Sequence, residues 1–124
     1  MGIKTLFFDT YALFEIIKGN ENYKKYTQKI AIVTTKLNLM ELYYGLLLKY
    51  NKTIADICYD KFVKYVIEID DITIKEAMLF RKLNKERKLS YIDCIGYIMA
   101  KKSDIRFLTG DKEFEGMENV EFVR

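Results

Sequence analysis

The 124-residue sequence contains no histidine, which removes Ser-His-Asp and Cys-His catalysis, His-ligated zinc and imidazole general bases. Any acid-base or metal chemistry therefore falls to carboxylates. Asp9 comes directly after the apolar run Leu6-Phe7-Phe8, and Asp111 stands two residues beyond Ile105-Arg106-Phe107-Leu108-Thr109. Glu41 precedes Leu42-Tyr43-Tyr44-Gly45-Leu46-Leu47-Leu48, and Asp93 lies within Ile92-Asp93-Cys94-Ile95-Gly96-Tyr97-Ile98-Met99-Ala100, apolar nearly all round. A carboxylate in such surroundings costs several kcal/mol unless it is paired or metal-bound. If the four converge, their mutual repulsion raises their pKa values. A hard divalent cation, Mg²⁺ or Mn²⁺, reverses that, because both ions prefer carboxylate and water ligands. Such a site can align water against a phosphodiester, polarise the phosphate and stabilise the leaving oxygen.

Each acid also has an ordinary explanation. Asp9 can cap the helix that follows it, and Thr109-Gly110-Asp111-Lys112 is turn chemistry. Asn38 and Glu41, Ser90 and Asp93, and Thr73 and Glu76 each have the spacing of a capping box, in which the side chain three residues into a helix reaches back to the cap. These readings cover the acids singly, and leave the apolar surroundings of Glu41 and Asp93 unexplained.

The elements that must position them follow from periodicity. Leu6–Phe8, Ile30–Thr34 and Ile105–Thr109 read as strands, with Val66–Ile69 and Val120–Val123 as weaker candidates. Leu39, Leu42, Tyr43, Leu46 and Leu47 recur at helical spacing, as do Ile74, Ala77, Met78 and Leu83, and Ile92, Ile95, Gly96 and Met99. Strands alternating with helices predict an α/β fold with a mostly parallel central sheet flanked by helices. Sites in such folds lie outside the carboxyl ends of the strands, where Asp9 and Asp111 both belong. The length supports one domain, residues 1–124. Cys58 and Cys94 are far apart and form no CxxC pair, so free thiols in a reducing, cytoplasmic setting are expected. No segment reads as a secretion signal or a membrane span. The net charge of +3 permits an anionic partner without demanding one.

Four stretches in order, Asp9-Thr10 after the first strand, Glu41-Leu42 with Tyr44-Gly45, YIDCIGYIMA from Tyr91, and FLTGDKEFEGMENVEFV from Phe107, resemble the PIN-domain ribonucleases, specifically the small VapC-type toxins of toxin-antitoxin pairs. The likeness spans almost the whole chain, and TGDKEFEG is its most distinctive piece. It implies a metal-dependent endoribonuclease whose Mg²⁺ or Mn²⁺ is held by Asp9, Glu41, Asp93 and Asp111. It gives Thr109, and with it Thr10, a supporting role in orienting carboxylates or water, and makes Glu113 a candidate outer ligand. It further implies an RNA substrate, a cognate antitoxin protein and a homodimer. Cys94 stands where the family usually has alanine, a change that a small buried thiol accommodates.

The densest basic run, Phe80 to Lys88, holds Arg81, Lys82, Lys85, Arg87 and Lys88. A solvated helix face explains it most simply. Beside the acidic edge it would hold RNA phosphates, with Lys112 nearest the chemistry. Of Tyr43 and Tyr44, only one can face the core. Three rivals remain. A PIN-like module that binds RNA or protein without cutting has no need of all four acids. A phosphate-accepting receiver wants adjacent acids after its first strand, and a haloacid-dehalogenase-type phosphatase wants a second Asp where this chain has Tyr11.

Overall fold

The computed structural model describes residues 3–124. Among these, four strands form one sheet: β1 (Lys4–Phe8), β2 (Ile30–Val33), β3 (Arg106–Thr109) and β4 (Val120–Phe122). Their spatial order is β2-β1-β3-β4, every neighbouring pair is parallel, and Phe7 stands opposite both Val33 and Phe107. Five α-helices accompany them: α1 (Thr10–Lys18), α2 (Lys36–Lys49), α3 (Lys52–Phe62), α4 (Asp71–Leu83) and α5 (Tyr91–Lys102). A short 3-10 helix, Glu21–Thr27, returns the chain from α1 toward β2.

The alternating pleat of the central strands sends side chains to two cores. Leu6, Phe8 and Leu108 pack under α1, α2 and α3 with Leu13, Leu39, Leu42, Leu46 and Phe62. Phe7 and Phe107 face the other way, onto Ala77 of α4 and onto Cys94, Ile95 and Tyr97 of α5. The expected α/β fold with a parallel sheet between helical layers is therefore present. Gly96 lets α5 lie close to the sheet, since a Cβ there would stand 2.8 Å from the Phe7 ring.

Val66–Ile69 differs from expectation. It contributes an isolated bridge, Thr34 to Val66, and no strand. Ile67 and Ile69 instead pack, partly buried, at the edge of the second core, and Val66 packs against the first. Two helices, α1 and α3, go unmarked by the periodicity, although their caps are conventional. Asp9 and Asn51 accept from the backbone N–H groups of Ala12 and Ile54. No helix among the described residues is long and apolar enough to cross a membrane.

Candidate active site

Because β1 is central, the chain leaves it for β2 on one side and is joined by β3 on the other. The reversal of direction opens a crevice at the carboxyl ends of β1 and β3. Asp9 follows β1 and Asp111 lies two residues past β3, so adjacent strands carry both acids to this edge. The Asp9 N–H donates to the Leu108 carbonyl at 3.3 Å, which ties the strand ends together. Asp9 is 3% exposed, and its Oδ1 accepts the Ala12 N–H at 2.8 Å. The buried Thr109 hydroxyl accepts the Asp111 N–H at 3.0 Å and also stabilises the Asp9 carboxylate. Asp111 Oδ1 in turn accepts the Glu113 N–H at 3.0 Å.

The helices bring the other two acids. Asp93 is in the first turn of α5, where the Ser90 capping box is fully formed: Ser90 Oγ accepts the Asp93 N–H at 3.0 Å, and Asp93 Oδ2 accepts the Ser90 N–H at 2.9 Å. Capping thus engages one oxygen each of Asp9, Asp93 and Asp111. A cap and a ligand role are compatible in a group with two oxygens.

Glu41 corrects the expectation of a capping box with Asn38. Helix α2 begins three residues earlier, capped by Thr35, so Glu41 is well inside it and accepts the Thr10 hydroxyl at 2.7 Å. The Thr73–Glu76 pairing fails for the same reason. Asp70 caps α4 by accepting the Thr73 N–H at 2.8 Å, and Glu76 pairs with Lys102.

Electrostatics link the four acids. Burial pushes Asp9 up to about 8, further raised by Asp93 and Asp111 and opposed by the Thr109 hydroxyl and the Ala12 N–H. Burial likewise lifts Asp93 to about 6, opposed by the Ser90 N–H and reinforced by Asp111 and Glu41. No ion pair among the described residues reaches any of them. Uncompensated, partly desolvated oxygen donors at one sheet edge are chemically suited to a hard divalent cation. Their arrangement is less advanced than their chemistry: among the described residues, no group of three or more acidic or thiol side chains is set to hold an ion as it stands.

The remaining candidates divide. Glu113 Oε1 accepts the Lys88 N–H at 2.9 Å and the Glu113 carbonyl accepts from Arg87, so this acid ties the turn after β3 to the loop before α5. Arg81 donates to the Leu89 carbonyl at 3.1 Å and lies 4.7 Å over the Tyr91 ring. Arg81 and Arg87 therefore hold the loop, whereas Lys82, Lys85, Lys88 and Lys112 are exposed around it. Tyr43 bonds Asp56 at 2.6 Å, while Tyr44 is 63% exposed. Thr35 and Asn38 are buried beside Thr10, and sequence reasoning does not mark them as site residues. The available signal is a polar Asn on the apolar Leu39, Leu42, Leu46 stretch.

The PIN domain profile matches residues 6–120, and the chain belongs to the PIN domain family. No curated protein matches it significantly in sequence. Several solved structures share its fold. The Mycobacterium tuberculosis toxin VapC20, described as cleaving the sarcin-ricin loop, superposes with a TM-score of 0.79 at 16% identity, covering 96% of this chain and 99% of that one. A Klebsiella pneumoniae toxin-antitoxin complex gives 0.72 at 20% identity, with 94% and 95% covered. Rickettsia felis VapBC2, bound to a DNA fragment from its promoter, gives 0.73 at 17% identity, with 97% and 99% covered.

Proposed function

We propose that the chain is a metal-dependent endoribonuclease, the toxin of a type II toxin-antitoxin pair, folded as one domain and acting in the cytoplasm. The observation that carries this reading is a buried Asp9 that feels the charges of Asp93 and Asp111, beside an Asp93 that feels those of Asp111 and Glu41, with no cation paired to any of the four among the described residues. Asp9, Glu41, Asp93 and Asp111 would hold Mg²⁺ or Mn²⁺, which when bound supplies a Lewis acid for the phosphate and lowers the pKa of water. Thr10 and Thr109 orient Glu41 and Asp9 through their hydroxyls. Asp93 and Asp9 give up the protons that burial favours as the site is charged. Glu113 braces the loop carrying Lys85 and Lys88, which with Lys82 and Lys112 offers cations to RNA phosphates. Exposed apolar side chains on α2 (Met40, Tyr44, Leu48) and α4 (Ile72, Leu79, Leu83) support partner surfaces for an antitoxin and a second copy.

One observation favours a second reading, a PIN fold that binds RNA or protein without cutting: no three acids among the described residues stand ready around an ion. Cleavage of a panel of structured RNAs with Mn²⁺ or Mg²⁺ separates the two. The nuclease reading expects cuts that disappear with chelator and in a folded Asp93→Asn variant. Binding without cutting at any metal concentration supports the module instead.

A further inference from the structure

We propose that Asn38 is a positioning residue for this site, fixing the direction of a buried hydrogen-bond chain that aims the Thr10 hydroxyl hydrogen at Glu41. The inference rests on the nuclease reading and deepens it.

Asn38 is 2% exposed on the first turn of α2, and its amide is hydrogen-bonded through both its oxygen and its nitrogen. Thr35 Oγ1 accepts the Asn38 N–H at 3.2 Å, which leaves its own hydrogen to donate to Asn38 Oδ1 at 2.6 Å. With its oxygen engaged there, the Asn38 amide turns Nδ2 toward Thr10 and donates to Oγ1 at 3.2 Å. The Thr10 hydroxyl is then an acceptor from Asn38 and has a single hydrogen to give. Glu41 Oε1 takes it at 2.7 Å, in preference to the Asn38 carbonyl at 3.5 Å. Were the amide reversed, Oδ1 would face Thr10, take that hydrogen and leave Glu41 Oε1 without a donor. The platform under this chain is rigid, because the buried Thr34 hydroxyl bonds the Phe8 carbonyl at 2.9 Å and holds the ends of β1 and β2 together. Asn38 thus acts at a distance: it touches neither substrate nor cation, and sets which way one Glu41 oxygen is held. The Thr10 bond engages one Glu41 oxygen and leaves the other free of it.

The test is a double-mutant cycle on the full chain with Thr10→Val, Asn38→Leu and the pair, read by Mn²⁺ titration calorimetry at fixed pH and by kcat and KM for cleavage. Asn38→Leu is expected to weaken Mn²⁺ binding about fivefold, the worth of one neutral hydrogen bond, and Thr10→Val by roughly tenfold or more, because its lost bond is to a carboxylate; both should lower kcat with KM held. The pair is expected to bind no more weakly than Thr10→Val alone, since Asn38 acts only through Thr10. Effects that multiply, or an Asn38→Leu chain that binds Mn²⁺ like the unsubstituted one, overturn the relay. Asn38→Ser, which removes the Nδ2 donor and keeps a polar group on the turn, replaces Asn38→Leu if that variant does not fold. An Asp93→Asn arm separates the two levels. If it loses Mn²⁺ binding while the Asn38 variants keep it, the relay alone fails; if the unsubstituted chain binds no Mn²⁺, the nuclease reading fails and the relay with it.

Discussion

Burying Asp9 costs the folded chain stability whenever no cation is bound, and Asp9→Asn measures how much. Burial raises its carboxyl from 3.8 to about 8, so between those values the folded chain keeps a proton that the unfolded chain has released. The sign follows from linkage: where the native state binds more protons, the free energy of unfolding falls as pH rises. Each pH unit in this window is worth about 1.4 kcal/mol. From 3.8 to pH 7 the loss comes to about 4 kcal/mol, an upper figure because Asp93 shares the same repulsion. Asparagine keeps an oxygen for the Ala12 N–H and cannot ionise. In urea titrations with chelator at pH 5, 6, 7 and 8, followed by circular dichroism, the unsubstituted chain should lose stability steadily. The variant should lose only the smaller share due to Asp93 and be the more stable protein at pH 7. Mn²⁺ should close that gap, since ligand at 100 times its Kd adds about 2.7 kcal/mol to the chain that binds it and at 1,000 times about 4.1 kcal/mol. Parallel stability curves for the two chains from pH 5 to 8 would refute the electrostatic reasoning.

Three further outcomes follow from the same geometry. Mn²⁺ affinity should rise between pH 6 and 8 with net proton release, measured by calorimetry in buffers of different ionisation enthalpy, because Asp9 and Asp93 are raised to about 8 and about 6 and must deprotonate. Thr109→Val removes the hydroxyl that serves both Asp111 N–H and Asp9; it should cost about 1–3 kcal/mol in urea titrations and weaken Mn²⁺ binding by roughly 10- to 100-fold. Replacing Lys82, Lys85, Lys88 and Lys112 by alanine should weaken RNA binding and flatten its dependence on log salt by about 0.7 for each phosphate no longer neutralised, read by fluorescence anisotropy in Mg²⁺-free buffer.

What was legible in the sequence, and what was not, has a physical pattern. The strands that carry the acids were legible because Leu6–Phe8 and Phe107–Thr109 are buried on both faces and read as continuous apolar runs. Val66–Ile69 has the same composition but packs its side chains at the edge of a core with one bridge to the sheet. Composition reports burial there and says nothing of hydrogen-bonding partners. Helices α1 and α3 are short and carry polar residues on partly buried faces, Glu15 and Asp56 among them, which blurs the period. The sequence leaves the α2 cap ambiguous, because Thr35 and Asn38 are both good caps three residues apart and only the turn geometry chooses between them. That choice moves Asn38 from a helix end into a buried relay. For Asp9, Asp93 and Asp111, capping and site readings look like rivals in the sequence, yet each carboxylate caps with a single oxygen.

The central claim is that Asp9, Glu41, Asp93 and Asp111 close on a divalent cation at the carboxyl ends of β1 and β3. Crystals grown with Mn²⁺ and measured near the manganese absorption edge test it directly. The account predicts an anomalous peak at that edge, within bonding distance of carboxylate oxygens from at least two of the four residues, and its loss in Asp93→Asn. A peak confined to surface acids such as Glu118, or none at millimolar Mn²⁺ and pH 8, would contradict it.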